Sequence, residues 1–392
     1  MQLRVRVRAG HHRRQGTPVR LALPQDLVGQ SICLKDTRNH RCVRSQVISC
    51  GDRKYLCWLL DDVLSGEECI LSLETKGKAL AEGKEASWGV RLEDQGDTVR
   101  LLLGSELVTA YHYRDYRRPY LYPLIGPFGS GMTRDYPMKE DTPDESQDHP
   151  HHRSVFTAHG DLSGINNWAN GGEMPLGAME YQEFTALDSG PVLGRLQARN
   201  LWTGPEVGPM LDEVREIVLY ASAPSYRLLD YRVTLTARED VVFNDTKEGG
   251  ILSVRVASSM EVRRGGRIEN AQGGVNETEA WGQPSPWCDY SGTVGGRQVG
   301  IALMDHPGNL RHPTPWHVRN YGLMTANCFG LSDFTAGLEN GDFELKRGET
   351  LDLAYRILLH AGDARQGEVS RHYADFAYPP RVDLIRDEET SR

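Results

Sequence analysis

Leu229-Asp230-Tyr231-Arg232-Val233-Thr234-Leu235-Thr236 is the stretch whose reading decides the fold. Apolar Leu229, Tyr231, Val233 and Leu235 alternate there with polar Asp230, Arg232, Thr234 and Thr236. A strand sends successive side chains to opposite faces, so this alternation means a half-buried strand. The same period recurs on both sides. Leu252, Val254 and Val256 alternate with Ser253, Arg255 and Ala257, and Leu3, Val5 and Val7 with Arg4, Arg6 and Arg8. Val99 to Val108 reads as two more strand-like pieces. Phe343 and Leu345 lead into Lys346-Arg347-Gly348-Glu349, a predicted hairpin turn, with Leu351, Leu353, Tyr355, Ile357 and Leu359 returning on the facing strand. One segment reads as helix: Asp363 can cap it, Gln366 completes a capping box, and Val369, Tyr373 and Phe376 share a face before Pro379-Pro380 ends it. Many strands, little helix and long loops predict an all-β fold, a large antiparallel β-sandwich. The polar, Gly-punctuated stretch from Thr75 to Lys84 reads as a linker. It would divide a small N-terminal β domain, 1–84, from the main sandwich, 85–392, which carries the site.

At 392 residues the chain can build ample core. Its 54 acidic residues outnumber its 45 basic ones, giving a formal charge of −9. No Lys/Arg run stands out, which argues against a nucleic-acid partner. No stretch approaches the roughly eighteen apolar residues that suggest a membrane span. The start, Met-Gln-Leu-Arg-Val-Arg-Val-Arg, lacks the apolar region of a signal peptide, so a cytoplasmic protein is expected; an exported chain trimmed of its signal would read alike. Cys33, Cys42, Cys50, Cys57, Cys69, Cys288 and Cys328 include no CxxC pair, and reduced thiols are the simpler reading. Strands do not alternate with helices and no glycine-rich phosphate loop follows a strand, so no nucleotide cofactor is expected. Nothing in the sequence sets an oligomeric state.

The chemistry concentrates at Asp148-His149-Pro150-His151-His152-Arg153-Ser154 and the His159-Gly160-Asp161 that follows: four of thirteen histidines fall within eleven residues. Imidazole moves protons near neutral pH and is the commonest metal ligand. In an extended stretch His149 and His151 would share one face and His152 the other. Two histidines so spaced can converge on one metal or one substrate atom. A surface run, or histidines bonded within a core, is the blander alternative. Gly164-Ile165-Asn166-Asn167-Trp168, close behind, favours a polar pocket with an aromatic wall.

Further constellations lie on either side. Tyr111 to Pro123 is dense in aromatics and arginine, and Gly126 to Pro137, which includes Arg134, is a long Gly/Pro-rich loop of a usually functional kind. Asn244-Asp245-Thr246-Lys247-Glu248-Gly249-Gly250 sets carboxylates beside a lysine, a fair general acid/base site, with a solvated turn equally open. Asp305 to Gly322 is the second histidine-rich segment. Three prolines within nine residues stiffen it, and it offers His312, Trp316, His317, Arg319 and Tyr321, which suits a preorganised site. Asn327, just beyond, is placed on the same rim. Trp281 and Trp287 flank a turn-rich motif whose aromatic faces could bind sugar rings, core packing being the alternative for each.

Arg118-Pro119-Tyr120, Thr133-Arg134-Asp135-Tyr136-Pro137, His149-Pro150-His151-His152-Arg153-Ser154, Asp245-Thr246-Lys247-Glu248-Gly249-Gly250 and Met304-Asp305-His306-Pro307 through Asn327 together resemble a bacterial family known as methane oxygenase PmoA-like. The resemblance covers roughly residues 100–360. It implies a supersandwich like that of galactose mutarotase and related sugar enzymes, found in sugar-catabolic settings alongside sugar oxidoreductases. It carries nothing functional to the first eighty-odd residues.

The expectation is therefore a carbohydrate-active enzyme that cleaves a glycosidic bond in a small-molecule or oligosaccharide substrate. Cleavage could be hydrolytic, or by elimination from a sugar oxidised to a keto form. In elimination a base removes the proton beside the ketone and an acid protonates the departing oxygen. His151 or His152 is cast as base, Glu248 as acid, and His317 with Arg319 as oxyanion or hydroxyl binders. Arg134, Trp168, Asp245, Lys247, His312, Trp316, Tyr321 and Asn327 are candidates for substrate contact. His149, His151 and His159 are candidates to hold a divalent metal ion, although no HExxH spacing is present. Hydrolysis would need two carboxylates flanking the bond, from among Asp135, Asp148, Asp161, Asp245 and Glu248. A sugar epimerase or mutarotase needs only one acid and one base. A non-catalytic sugar-binding protein is the alternative from another class, and a metal-dependent oxygenase comes last.

Overall fold

The computed structural model describes residues 2–76 and 89–387. Most of the linker read at Thr75 to Lys84, and the domain boundary with it, lies outside the described residues. Two eight-stranded antiparallel sheets face each other across one core. The back sheet runs Ala178–Asp188, Leu193–Gly204, Gly208–Tyr220, Tyr226–Ala237, Thr350–Ala361, Arg297–Asp305, Trp287–Val294, Arg267–Asn270. The front sheet runs Trp316–Arg319, Leu323–Ala326, Gly249–Arg255, Val155–His159, Tyr120–Leu124, Glu106–His112, Thr98–Leu103, Val90–Asp94. The fold is an all-β sandwich.

Tyr226–Ala237 lies mid-sheet, and its register with Thr350–Ala361 explains the shared period. Leu229 faces Ile357, Tyr231 faces Tyr355, Val233 faces Leu353 and Leu235 faces Leu351. All eight are buried, and full burial of such a side chain contributes about 1.5–3 kcal/mol. The predicted hairpin at Lys346–Glu349 is corrected here. Phe343–Leu345 pairs instead with Val241–Phe243, and the turn hands the chain from that small sheet to the back sheet. Asp240 accepts from the Arg347 N–H at 2.9 Å, and the Gly348 N–H donates to the Ala237 carbonyl at 2.8 Å. The turn is thus anchored to the end of Tyr226–Ala237 rather than folded back on Phe343–Leu345.

The C-terminal helix is Val369–Ala377. Asp363 and Gln366 do exchange the two capping-box bonds, at 3.1 and 2.8 Å. They close a turn ahead of the helix rather than its first turn. Val369, Tyr373 and Phe376 then pack on Leu228, Met304 and Leu358 at the outer face of the back sheet.

At the other end, Gln2–Arg8 pairs with both Glu68–Lys76 and Arg381–Asp387, so the last strand of the chain completes the N-terminal sheet. Leu3, Val5 and Val7 point into that module's own core with Leu71, Leu73 and Trp58. Ile48, Tyr55 and Cys57 of its second sheet pack against Val192, Leu193 and Val218 of the back sheet. The front sheet's outer face is left for the histidines.

Candidate functional site

Alternation along the front strands sorts the site residues. On Val155–His159, Val155 enters the main core, Phe156 and Ala158 point outward, and Thr157 turns inward to meet the Tyr231 hydroxyl at 2.9 Å. Register then lays Phe156, Ser253, Thr325 and His317 in one outward row across four strands, with Arg255, Leu323 and Arg319 in the next. At about 4.8 Å per strand, Phe156 and His317 stand roughly 14 Å apart.

Over Phe156 sits the first histidine segment. It is a turn, not the extended stretch that would put His149 beside His151. His149 has φ 41°, and the His152 N–H donates to the His149 carbonyl at 2.9 Å. The rings of His149 and His152 therefore stack at 4.8 Å, with His151 edge-on to His152 at 4.4 Å. Trp168 closes the side, 5.4 Å from Phe156 and 5.5 Å from His152. Tyr321 stacks on His149 at 5.0 Å. The two histidine-rich segments meet through that contact.

Two buried arginines hold the turn in shape. Arg134 donates to the carbonyls of Ser146, Asp148 and His149, and to the Asp148 carboxylate at 2.6 Å. It is fully enclosed, so it shapes the loop and does not reach a ligand. Arg118 donates to the carbonyls of Asn167, Trp168 and His151, tying the Trp168 loop to the histidine turn. Arg255 meets Asp148 at 2.7 Å and lies 4.8 Å over the Tyr321 ring. Burial opposes ionisation of Asp148, but the His149 hydrogen bond and the charges of Arg255 and Arg134 outweigh it and hold the acid well below the usual carboxylate range.

Those charges act on the imidazoles in the opposite sense. Burial and the Arg118 charge lower His151 to about 3, and burial with His151 and Arg255 puts His152 well below its ordinary value. Both are neutral at pH 7. His152 is enclosed with Nε2 unpartnered. His151 is half-buried, and among the described residues its ring makes no hydrogen bond, which leaves it free for a ligand.

In the second segment His317 points outward, but both nitrogens are engaged. Nδ1 bonds the Lys247 carbonyl, and Arg319 Nε donates to Nε2 at 3.1 Å. Burial first lowers its pKa to about 4. Arg319 is itself paired with Glu277 at 2.6 Å. Asn327 donates to the Thr246 and Lys247 carbonyls, and Asp245 accepts from the Ser332 and Gly341 N–H groups. These two residues therefore clamp the loop that carries Lys247 and Glu248, whose charged ends have no partner among the described residues. Gly249 and Gly250 are required there. A Cβ on Gly249 would fall 2.8 Å from His159 Nδ1, and one on Gly250 2.6 Å from the Ala326 carbonyl. Glu248 lies four residues along the strands from Phe156, about 13 Å, so it is not beside His151.

Three candidates lie elsewhere. Trp316 is a core residue whose Nε1 donates to the Ser285 carbonyl at 2.8 Å. His312 bonds Asp305 at 2.7 Å and approaches Tyr373 of the C-terminal helix, on the far side of the sandwich. His159 points inward between Phe243 and Phe329. The three imidazoles expected to share a metal thus do not converge. Among the described residues no group of three or more His, Cys, Asp or Glu is placed to hold a metal ion. A cleft of about 520 Å³ separates the N-terminal module from the back sheet. Its buried guanidiniums are paired with carboxylates, Arg356 with Asp230 and Arg195 with Asp188.

Arg118, Arg153 and Arg255 were not singled out as site residues. The aromatic and arginine density around Arg118 was the available signal. Arg255 gave only an arginine alternating with core residues on a strand.

The sequence pattern of DUF6807, a family of unknown function, matches residues 98–374. This chain belongs to that family. The DUF6807 span takes in the whole front face from Arg118 to Tyr321 and excludes the N-terminal module. No curated protein matches the chain. Among solved structures it is similar to a protein in glycosyl hydrolase family 38 from Enterococcus faecalis, with 10% identity and a TM-score of 0.48. That match covers 98% of this chain and 47% of the other, so this chain spans less than half its length. No helix among the described residues is long and apolar enough to cross a membrane.

Proposed function

We propose that the chain is a carbohydrate-active enzyme that cleaves a glycosidic bond on the outer face of the front sheet. The chemistry is elimination from a keto-oxidised sugar, with His151 as base. The observation that carries this reading is one open, neutral imidazole set between an aromatic wall and several guanidiniums. Half-buried Tyr321 supplies an aromatic surface suited to the C–H face of a sugar ring, while Trp168, itself enclosed, packs behind the histidines. His151 takes the proton beside the ketone, and the C–H electron pair becomes the enolate. As the ketone C=O re-forms, the enolate pair makes the new C=C bond, the C–O pair leaves on the aglycone oxygen, and solvent water supplies that oxygen's proton. Guanidiniums near the turn lower the energy of the developing negative charge.

Hydrolysis by paired carboxylates draws less support. Asp148 is held by Arg134 and Arg255, and Glu277 by Arg319. Glu248 keeps the role of acid only for a substrate long enough to span its distance from His151.

Product analysis by mass spectrometry tests the reading. Purified protein is incubated with plain glycosides and their keto-oxidised counterparts, with and without a chelator, beside His151→Ala. Aglycone should leave the keto substrates, and the variant should lose about a hundredfold or more of the rate. Equal cleavage of plain glycosides would transfer the proposal to hydrolysis. Altered stereochemistry at constant mass would indicate an epimerase, and no change in any substrate would leave a binding role.

A further inference from the structure

We infer that the sugar bound at this face is anionic, with a carboxylate held along the Nε–Nη2 edge of Arg153; the inference rests on the carbohydrate reading above. The chain as a whole carries a formal charge of −9, yet this face gathers positive charge. Arg117 donates only to backbone carbonyls, among them Gly177 and Ala169, and Arg118 likewise. Neither meets a carboxylate. Arg255 shares Glu261 with Arg263 and Arg264. A local field of this sign on an acidic protein draws an anionic ligand to one place.

Arg117, Arg118, Arg153 and Arg255 each keep a buried Nε without a partner, but of these four only Arg153 also has, among the described residues, an Nη2 with no protein partner. Its guanidinium lies 3.9 Å over the Tyr116 ring, and Nη1 reaches the Tyr120 hydroxyl at 3.4 Å. Nε is buried without a partner, and Nη2 donates to no protein atom. A buried donor left unpaired is costly, and a ligand oxygen would remove that cost. The Nε–Nη2 edge is a planar fork that matches a carboxylate. Asp115, bonded to the Tyr120 hydroxyl at 2.6 Å, acts on Arg153 through space. It repels a dianionic phosphate about twice as strongly as a carboxylate, which favours the latter. Two residues before Arg153 stands His151, whose pKa is lowered by burial and by cations. A negative charge brought to this face opposes those cations and shifts the imidazole toward a better base.

Isothermal titration of the full chain with glucuronate, glucose and glucose 6-phosphate tests this without requiring turnover. Glucuronate should bind about tenfold or more tightly than glucose at low salt, and the advantage should shrink at high salt. Arg153→Gln should abolish the advantage of glucuronate over glucose, and Arg153→Lys should keep part of it. Circular dichroism of each variant shows that it is folded. Equal affinity for glucuronate and glucose, or a folded Arg153→Gln that keeps the preference, overturns the inference. Preference for the sugar phosphate over glucuronate overturns the carboxylate. Glucuronate binding without cleavage of any glycoside would defeat the elimination reading alone. Cleavage of neutral keto-glycosides with no uronate preference would defeat this inference alone.

Discussion

His159→Phe separates a buried, unpartnered histidine from a metal ligand. His159 is fully enclosed, with ring centroids of Phe243 and Phe329 at 5.2 and 5.0 Å; neither nitrogen makes a well-formed hydrogen bond to a described residue, and the nearby backbone of Asn244 and Asp161 only partly offsets the burial. Burial lowers its pKa from the ordinary 6.5 to about 4. The fold thus favours the neutral ring, and the unfolded chain takes up the proton first as the pH falls. Stability from this residue is whole above about pH 6.5 and drains away as pH drops toward 4. At about 1.36 kcal/mol per pH unit the full loss is on the order of 3 kcal/mol, of which about 2.5 kcal/mol is reached by pH 4.5. Phenylalanine takes up no proton. Urea unfolding at pH 7.5 and pH 4.5 should therefore show wild type losing about 2.5 kcal/mol more than the variant. The depressed His151, His152 and His317 are present in both proteins and cancel. At pH 7.5 the variant should lie within about 1 kcal/mol of wild type, since the larger ring offsets the removal of two unsatisfied nitrogens. Parallel losses in the two proteins would refute the reasoning. So would a collapse of the variant at pH 7.5, because it would mean that the nitrogens have a partner.

Asp148→Asn removes the carboxylate that faces Arg134 and Arg255, and should lower stability by roughly 2 kcal/mol, read from urea unfolding, with faster amide exchange across Ser146 to His152. Trp316→Phe should cost about 1–3 kcal/mol through lost volume and the lost bond to Ser285, while sugar affinity measured by titration stays unchanged. A variant that kept its stability but lost sugar binding would return Trp316 to the ligand face.

Much of the fold was legible because both sheets bury one face of their strands, and period two survives in the residues. Leu229 to Leu235 and Leu351 to Ile357 are register partners, and each stretch carries its own alternation. The partner of a strand is less legible. Phe343–Leu345 looks like one arm of a hairpin until Asp240 is seen to anchor the turn elsewhere. At the site, residue type named the right segments and backbone conformation decided their use. His149 with φ 41° turns the chain, so His152, which the extended-strand rule puts on the opposite face, also stacks on it, while His151 stays edge-on to His149 at 5.7 Å. His317, Asp245 and Asn327 are polar residues near the face whose hydrogen-bonding groups serve the fold first. Their partners, chiefly backbone groups of the Asn244–Glu248 loop and the segments beside it, have no sequence signature.

Arg118 and Arg134 join shape to charge in this site. Each spends its donors on carbonyls of the histidine turn and its neighbours, so the turn cannot take this form without placing two guanidiniums beneath it. Burial lowers Arg118 to about 9 and Arg134 to about 10, a measure of how poorly those charges are solvated. Asp148 answers Arg134 and Arg255, but no carboxylate answers Arg118. Burial first, and then that unanswered charge, keeps His151 neutral. A negative group arriving at the face therefore relieves the arginines and raises the basicity of the imidazole together. On this reading the arginines that build the turn also make His151 a better base when an anionic substrate is bound than when the face is empty.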